Sequence, residues 1–276
     1  MIGVWFSELQ QPGLAISCLV KEVLHHEKSE YQDIKVVDTE RFGRMLLLDD
    51  VIQTTVKDEF VYHEMISMVA LNTHPNPENV LVIGGGDGGT IREIVKHPKV
   101  KKATLVEIDE GVVKASKKYL PELACGFDDP KAEVIIDDGI KFVKESTAQF
   151  DVILIDSTDP VGAAEGLFSA NFYKSVHNAL KEDGIFAAQT ESPFFNRDLI
   201  KRINKDVREI FPVCRLILAN VPTYPGGLWT FTMGSKKYLP EEVDIENIPD
   251  LNTRYYSKEI HKSCLVLPPF VKELVE

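Results

Sequence analysis

Residues Asn79–Gly89 read NVLVIGGGDGG. The first half, Val80-Leu81-Val82-Ile83, is an unbroken apolar run of the kind found in strands buried on both faces. The second half, Gly84 to Gly89, contains G-x-G-x-x-G and leads into a segment with helical spacing that carries Arg92 and Glu93. Glycines at a strand-to-helix turn let the backbone bend sharply and approach a ligand closely, although a purely structural glycine turn gives the same text.

Moving outward, the pattern repeats. KATLVEID (102–109), AEVIID (132–137), FDVILID (150–156), GIFAAQT (184–190) and CRLILAN (214–220) read as strands separated by helical segments, including one near Phe172–Leu180 and one near Asp198–Ile210. This alternation predicts an α/β, Rossmann-like, mostly parallel sheet with helices on both faces. The last strand, LWTFTMGS (228–235), follows its predecessor too closely for a crossover and is expected to pair antiparallel. Upstream, Ala15 to Thr55 falls into short apolar runs punctuated by Gly43 and Asp49-Asp50, predicting a small N-terminal antiparallel β domain over 1–57. The segment 58–72 has helical spacing and His74-Pro75-Asn76-Pro77 reads as a rigid linker, so the catalytic domain is assigned to 58–276.

The 276 residues carry a net charge of -12, which repels nucleic acid and favours small cationic ligands. Cys18, Cys125, Cys214 and Cys264 form no C-x-x-C pair, as expected in a reducing compartment. The N-terminus does not read as a signal peptide and no stretch is apolar enough to span a membrane, so a cytoplasmic protein is expected. His25, His26, His74, His97, His177 and His261 lack metal-ligand spacing, and no metal is expected.

Candidate site residues stand at the strand ends. Glu107 lies about 20 residues beyond the glycine loop, where an acid accepts hydrogen bonds from ribose hydroxyls, an arrangement that NAD and S-adenosyl ligands share. Asp138, before Gly139, reads equally as an adenine contact and as a helix cap. Asp87 stands in a loop whose N–H groups would otherwise face an anion. Pointing inward, it favours a ligand with an ammonium group and no carboxylate, such as decarboxylated S-adenosylmethionine. Asp156 and Asp159, in DSTDP, read either as turn residues or as part of a carboxylate-lined cleft at the edge where α/β sheets bind ligands. A protonated diamine has a pKa of about 10 and must lose a proton to become a nucleophile, which makes Asp156 the candidate general base.

These stretches, together with YQDIKV, LDDVIQTTVKDEFVYHEM, AQTES and PTYPGGLWTF, resemble spermidine synthases, bacterial polyamine aminopropyltransferases, over nearly the whole chain. The resemblance implies a class I methyltransferase-like catalytic domain, a homodimer or homotetramer, and no cofactor beyond the co-substrate decarboxylated S-adenosylmethionine. It also implies transfer of an aminopropyl group to putrescine by direct displacement, giving spermidine and 5'-methylthioadenosine, with cadaverine, agmatine and spermidine as alternative acceptors. Carried over by position, Gln32 and Glu107 contact the ribose region, Asp138 and Gly139 the adenine, and Gln53 and Asp87 the aminopropyl group. Tyr62 and Tyr224 flank the reacting amine, Asp156 is the base, and His63, Asp159 and Gln189 contact the polyamine. Trp5 reads as a pocket wall or a core aromatic. Three positions depart from the family pattern: Ala163 replaces a proline beside the adenosine, Gly226 a serine, and Phe194 a tryptophan.

Overall fold

The computed structural model describes residues 3–160 and 162–276. Five strands, β1 (Val4–Gln11), β2 (Leu14–Lys28), β3 (Asp33–Thr39), β4 (Gly43–Leu48) and β5 (Val51–Thr55), form an antiparallel sheet in sequence order. The β4–β5 hairpin turns on Asp49 and Asp50, both at positive φ (50° and 63°), the two-residue turn that matches strand twist.

β4 reads as a continuous apolar run because both of its faces are covered. Met45 and Leu47 pack with Cys18, Val37 and Ile52 on one side. Leu46 and Leu48 pack with Ile34, Val36 and the residues Val112, Ala115, Leu120 and Leu123 of the following unit on the other. The strand β1, which the sequence reading did not place, leaves Val4, Trp5 and Leu9 largely exposed. Trp5 is therefore neither a core aromatic nor, as described below, part of the cavity wall.

Helix α1 (Glu59–Thr73) leads into the second unit and is buried at every position except Phe60 and Asn72. Its buried Glu64 is satisfied by three backbone N–H groups, those of Arg254, Tyr255 and Tyr256. There follow β6 (Asn79–Gly84), α2 (Gly89–Lys96), β7 (Lys102–Glu107), α3 (Glu110–Tyr119), α4 (Pro121–Ala124), β8 (Ala132–Ile136), α5 (Gly139–Glu145), β9 (Phe150–Asp156), α6 (Ala170–Ala179), β10 (Leu180–Gln189), α7 (Arg197–Ile210), β11 (Val213–Asn220) and β12 (Leu228–Ser235). The sheet order is β11-β12-β10-β9-β6-β7-β8, with β12 antiparallel to both neighbours and the other strand pairs parallel.

The parallel sheet is Rossmann-like, and the chain direction across it reverses between β6 and β9. Ligands of open α/β sheets bind outside the strand C-termini at such a point. The tail beyond Ser257 forms two short helices, with Val271 and Leu274 packed on Ile200 and Leu216.

Candidate active site

Where β6 and β9 lie side by side, Gly84 pairs in register with Asp156. Gly84 and Gly85 have φ of +78° and +73°, and a Cβ on Gly85 would sit 2.8 Å from Asp156 Oδ2. Gly84 and Gly85 are therefore needed because the end of β9 crowds them, with the Asp156 backbone carbonyl beside Gly84 and its carboxylate beside Gly85. Outside this point opens a cavity of about 450 Å³ walled by both sheets. Leu46, Leu48, Gln32 and Gln53 of the N-terminal unit face Glu107, Asp138, Gly139, Asp87, Asp156 and Asp159 of the other.

At one end, Glu107 Oε2 accepts from the Gly86 N–H at 3.2 Å and Oε1 from the Asp109 N–H at 2.9 Å. Burial pushes this carboxyl up to about 7 despite those bonds. Gln32 Nε2 donates to Asp109 Oδ2 at 2.9 Å. Asp138 caps α5, its Oδ1 accepting from Ile140 N at 2.8 Å, and the residue also lines the cavity.

At the centre, Asp156 accepts from the Tyr62 hydroxyl at 2.8 Å and from Thr90 Oγ1 at 2.6 Å. Burial and the neighbouring Asp87 charge raise its carboxyl pKa, with His63, Thr90 and Tyr62 acting the other way. Asp87 turns its carboxyl to the loop, accepting from Gly89 N at 2.7 Å, and lines the cavity. The Tyr224 hydroxyl donates to the Gln53 carbonyl at 2.6 Å, and its ring stands 5.6 Å from that of Tyr62. Burial, with Asp156 nearby, holds both phenols well above their ordinary pKa, so both remain neutral donors.

At the far end Asp159 stands beside two carboxylic acids that sequence reasoning missed. Glu191 is buried, has φ +74° and leaves Oε1 without a partner. Burial and Asp159 push its pKa well above the carboxylate range. Glu8, reaching across from β1, accepts from Ile52 N at 3.0 Å and is raised to about 7 by burial, with Asp159 adding to the effect. No motif flags Glu8, whereas Glu191 stands two residues past Gln189 in AQTES.

Two residues expected to touch the polyamine stand elsewhere. His63 is completely buried behind Asp87 and Gln189 behind the loop after β9, and neither lines the cavity. Gln189 Nε2 donates to the Ser157 and Thr158 carbonyls at 3.2 and 3.4 Å, bracing the loop that carries Asp159. Trp5 does not line the cavity either. Ala163 lies outside the residues whose side chains are described. Among the described residues no three His, Cys, Asp or Glu side chains are grouped to hold a metal ion, and no helix is long and apolar enough to cross a membrane.

A cleft lined by apolar side chains together with the carboxyl groups of Glu107, Asp87, Asp156 and Asp159 suits a cationic ligand with an apolar body. Comparison with known proteins agrees. Residues 59–247 match the spermine/spermidine synthase domain and residues 4–56 the spermidine synthase tetramerisation domain. The polyamine aminopropyltransferase of Moorella thermoacetica is 62% identical over 276 residues, covering 100% of this chain and 98% of that protein. That of Desulforudis audaxviator is 58% identical over 270 residues, or 98% of each chain. The crystal structure of spermidine synthase from Thermotoga maritima superposes with a TM-score of 0.93 at 39% identity, covering 99% of this chain and 94% of that one. A spermidine synthase in complex with the transition state analogue AdoDATO superposes equally well at 40% identity, with the same coverage. The chain thus belongs to the spermine/spermidine synthase family and is an aminopropyltransferase.

Proposed function

We propose that this enzyme is a spermidine synthase, moving the aminopropyl group of decarboxylated S-adenosylmethionine onto putrescine with Asp156 as general base. The observation that carries this reading is that Asp156, oriented by Tyr62 and Thr90, lines one cavity together with Asp87 and Asp159. The thioadenosine lies against Gln32, Glu107, Asp138 and Gly139, with the aminopropyl ammonium directed at Asp87 and Gln53. The reacting amine sits between Tyr62 and Tyr224, and the distal ammonium meets Asp159, with Glu8 and Glu191 behind it.

Asp156 takes a proton from the amine, whose pKa the adjacent sulfonium lowers. The freed lone pair attacks the aminopropyl carbon next to sulfur. The carbon–sulfur bond breaks, its electron pair goes to sulfur, and neutral 5'-methylthioadenosine leaves. Alignment of the two reactants in one cleft supplies much of the acceleration, and the donor is a co-substrate with no resident cofactor needed.

The reading also includes a cytoplasmic homo-oligomer, dimer or tetramer. The match to a tetramerisation domain and the exposed Val4, Trp5, Leu9 and Val23 of the outer strands support the assembly.

The test is methylthioadenosine release from the decarboxylated donor with putrescine, cadaverine, agmatine or spermidine, and ordinary S-adenosylmethionine as control donor. Release with putrescine and none from the control is expected, and release only with another amine would rename the acceptor. Asp156→Asn should keep donor binding and lower turnover by about 10²- to 10⁴-fold. Near-normal turnover would remove Asp156 as the base.

A further inference from the structure

Both ring nitrogens of the buried His63 face carboxylates. Nδ1 meets Glu59 Oε2 at 2.6 Å, one helical turn back, and Nε2 faces Asp87 Oδ1 at 3.3 Å. Glu59 is gripped in turn by Arg92, whose two terminal nitrogens donate to Oε1 at 3.0 Å and Oε2 at 2.8 Å. Arg92 Nε is fixed on Glu93 at 2.7 Å. A Cβ on Gly89 would collide with the His63 ring, so the last glycine of the motif is required to admit an imidazole behind the loop.

A neutral imidazole has one N–H, and between two carboxylates it would turn a lone pair toward one of them. Only the imidazolium donates to both. We propose that Arg92, Glu59 and His63 are a buried chain of positioning residues that holds the Asp87 carboxyl in place for the aminopropyl ammonium of the donor. This rests on the donor placement given above.

The surrounding charges agree. The groups facing His63 are Glu59 on its own helix, Asp87 on the glycine loop, Asp156 at the end of β9, the Tyr62 ring at 5.4 Å and, beyond Glu59, Arg92 of α2. Burial alone would strip the proton from His63, but Asp87 and Glu59 outweigh it and raise its pKa well above the ordinary value. Burial likewise opposes the ionised form of Glu59, and His63 and Arg92 reverse that, holding its carboxyl down at about 2. Asp87 and Asp156 line the same cavity, and the imidazolium behind Asp87 offsets their mutual repulsion.

The test has two arms. In enzyme with 15N-labelled imidazoles, the signal missing in His63→Gln identifies His63, and both of its nitrogens should stay protonated at pH 8. Glu59→Gln should lower the pH at which that proton leaves, and this reading is available even if His63→Gln folds poorly. In steady state, His63→Gln should raise KM for the decarboxylated donor by about tenfold, with kcat falling less than about threefold and diamine KM unchanged. A neutral His63 at pH 8 would overturn the proposal, as would a variant whose diamine KM rises while donor KM stays put. Wild-type enzyme inert toward putrescine would sink the acceptor assignment alone, and the resonance arm would still decide His63.

Discussion

Gly84 and Asp156 occupy paired positions on adjacent parallel strands, so tightly that a Cβ on Gly84 would collide with the Asp156 carbonyl oxygen. The glycine is also held at φ +78°. Gly84→Ala should lower stability by about 1–3 kcal/mol. Displacing the strand end that carries Asp156, the proposed base, should also lower turnover by about 100-fold. Denaturant unfolding and initial rates on the same preparation check both, and a fully active variant would show that this register does not set the base.

The hydroxyls of Tyr62 and Thr90 both donate to Asp156 and both favour its ionised form. Tyr62→Phe removes one of them, so the Asp156 carboxyl must titrate at still higher pH. The acidic limb of the kcat/KM profile should move upward, with turnover at pH 7 down by about tenfold. A limb that does not move belongs to some other group.

Glu107 is raised by burial from 4.5 to about 7, which fixes the sign of its pH dependence. Between those values the unfolded chain has released the proton and the folded chain still holds it. Ligand-free stability therefore falls as pH rises through that window and levels off above it. Relative to wild type, Glu107→Gln should gain about 1–3 kcal/mol on going from pH 5 to pH 8. In the proposed placement of the nucleoside, ribose hydroxyls donate to the ionised Glu107 carboxylate, so methylthioadenosine should bind wild type more tightly as pH rises from 6 to 8, and titration calorimetry should find that trend lost in the variant.

The parallel sheet was legible because its signals are contiguous: Val80–Ile83, the glycine run and Arg92 stand together in the text. Glu107, Asp138, Asp156 and Asp159 could be read for the same reason, since a strand's C-terminal residue lands at the ligand edge whatever the rest of the chain does. Side-chain direction was less legible. His63 and Gln189 were expected to face the polyamine, yet each is turned behind the wall by a partner: His63 by Glu59, one helical turn back, and Gln189 by the Ser157–Thr158 carbonyls on the neighbouring strand's loop, far away in sequence. Glu8 was invisible because its neighbour Ile52 is 44 residues away and nothing in VWFSELQQ announces that encounter. β1 was missed because its outer apolar residues are left uncovered in the chain by itself, which blurs the alternation that marks a half-buried strand.

The cavity has one wall from each sheet, with Leu46, Leu48, Gln32 and Gln53 on the N-terminal side. In the proposed placement, a nucleoside in that gap works as a rivet through two plates. It binds only when both are folded and seated, so its affinity is added to the adhesion between them. An enzyme engaged with donor or spent nucleoside is for that reason harder to pull apart than an idle one, and substrate supply doubles as protection against unfolding.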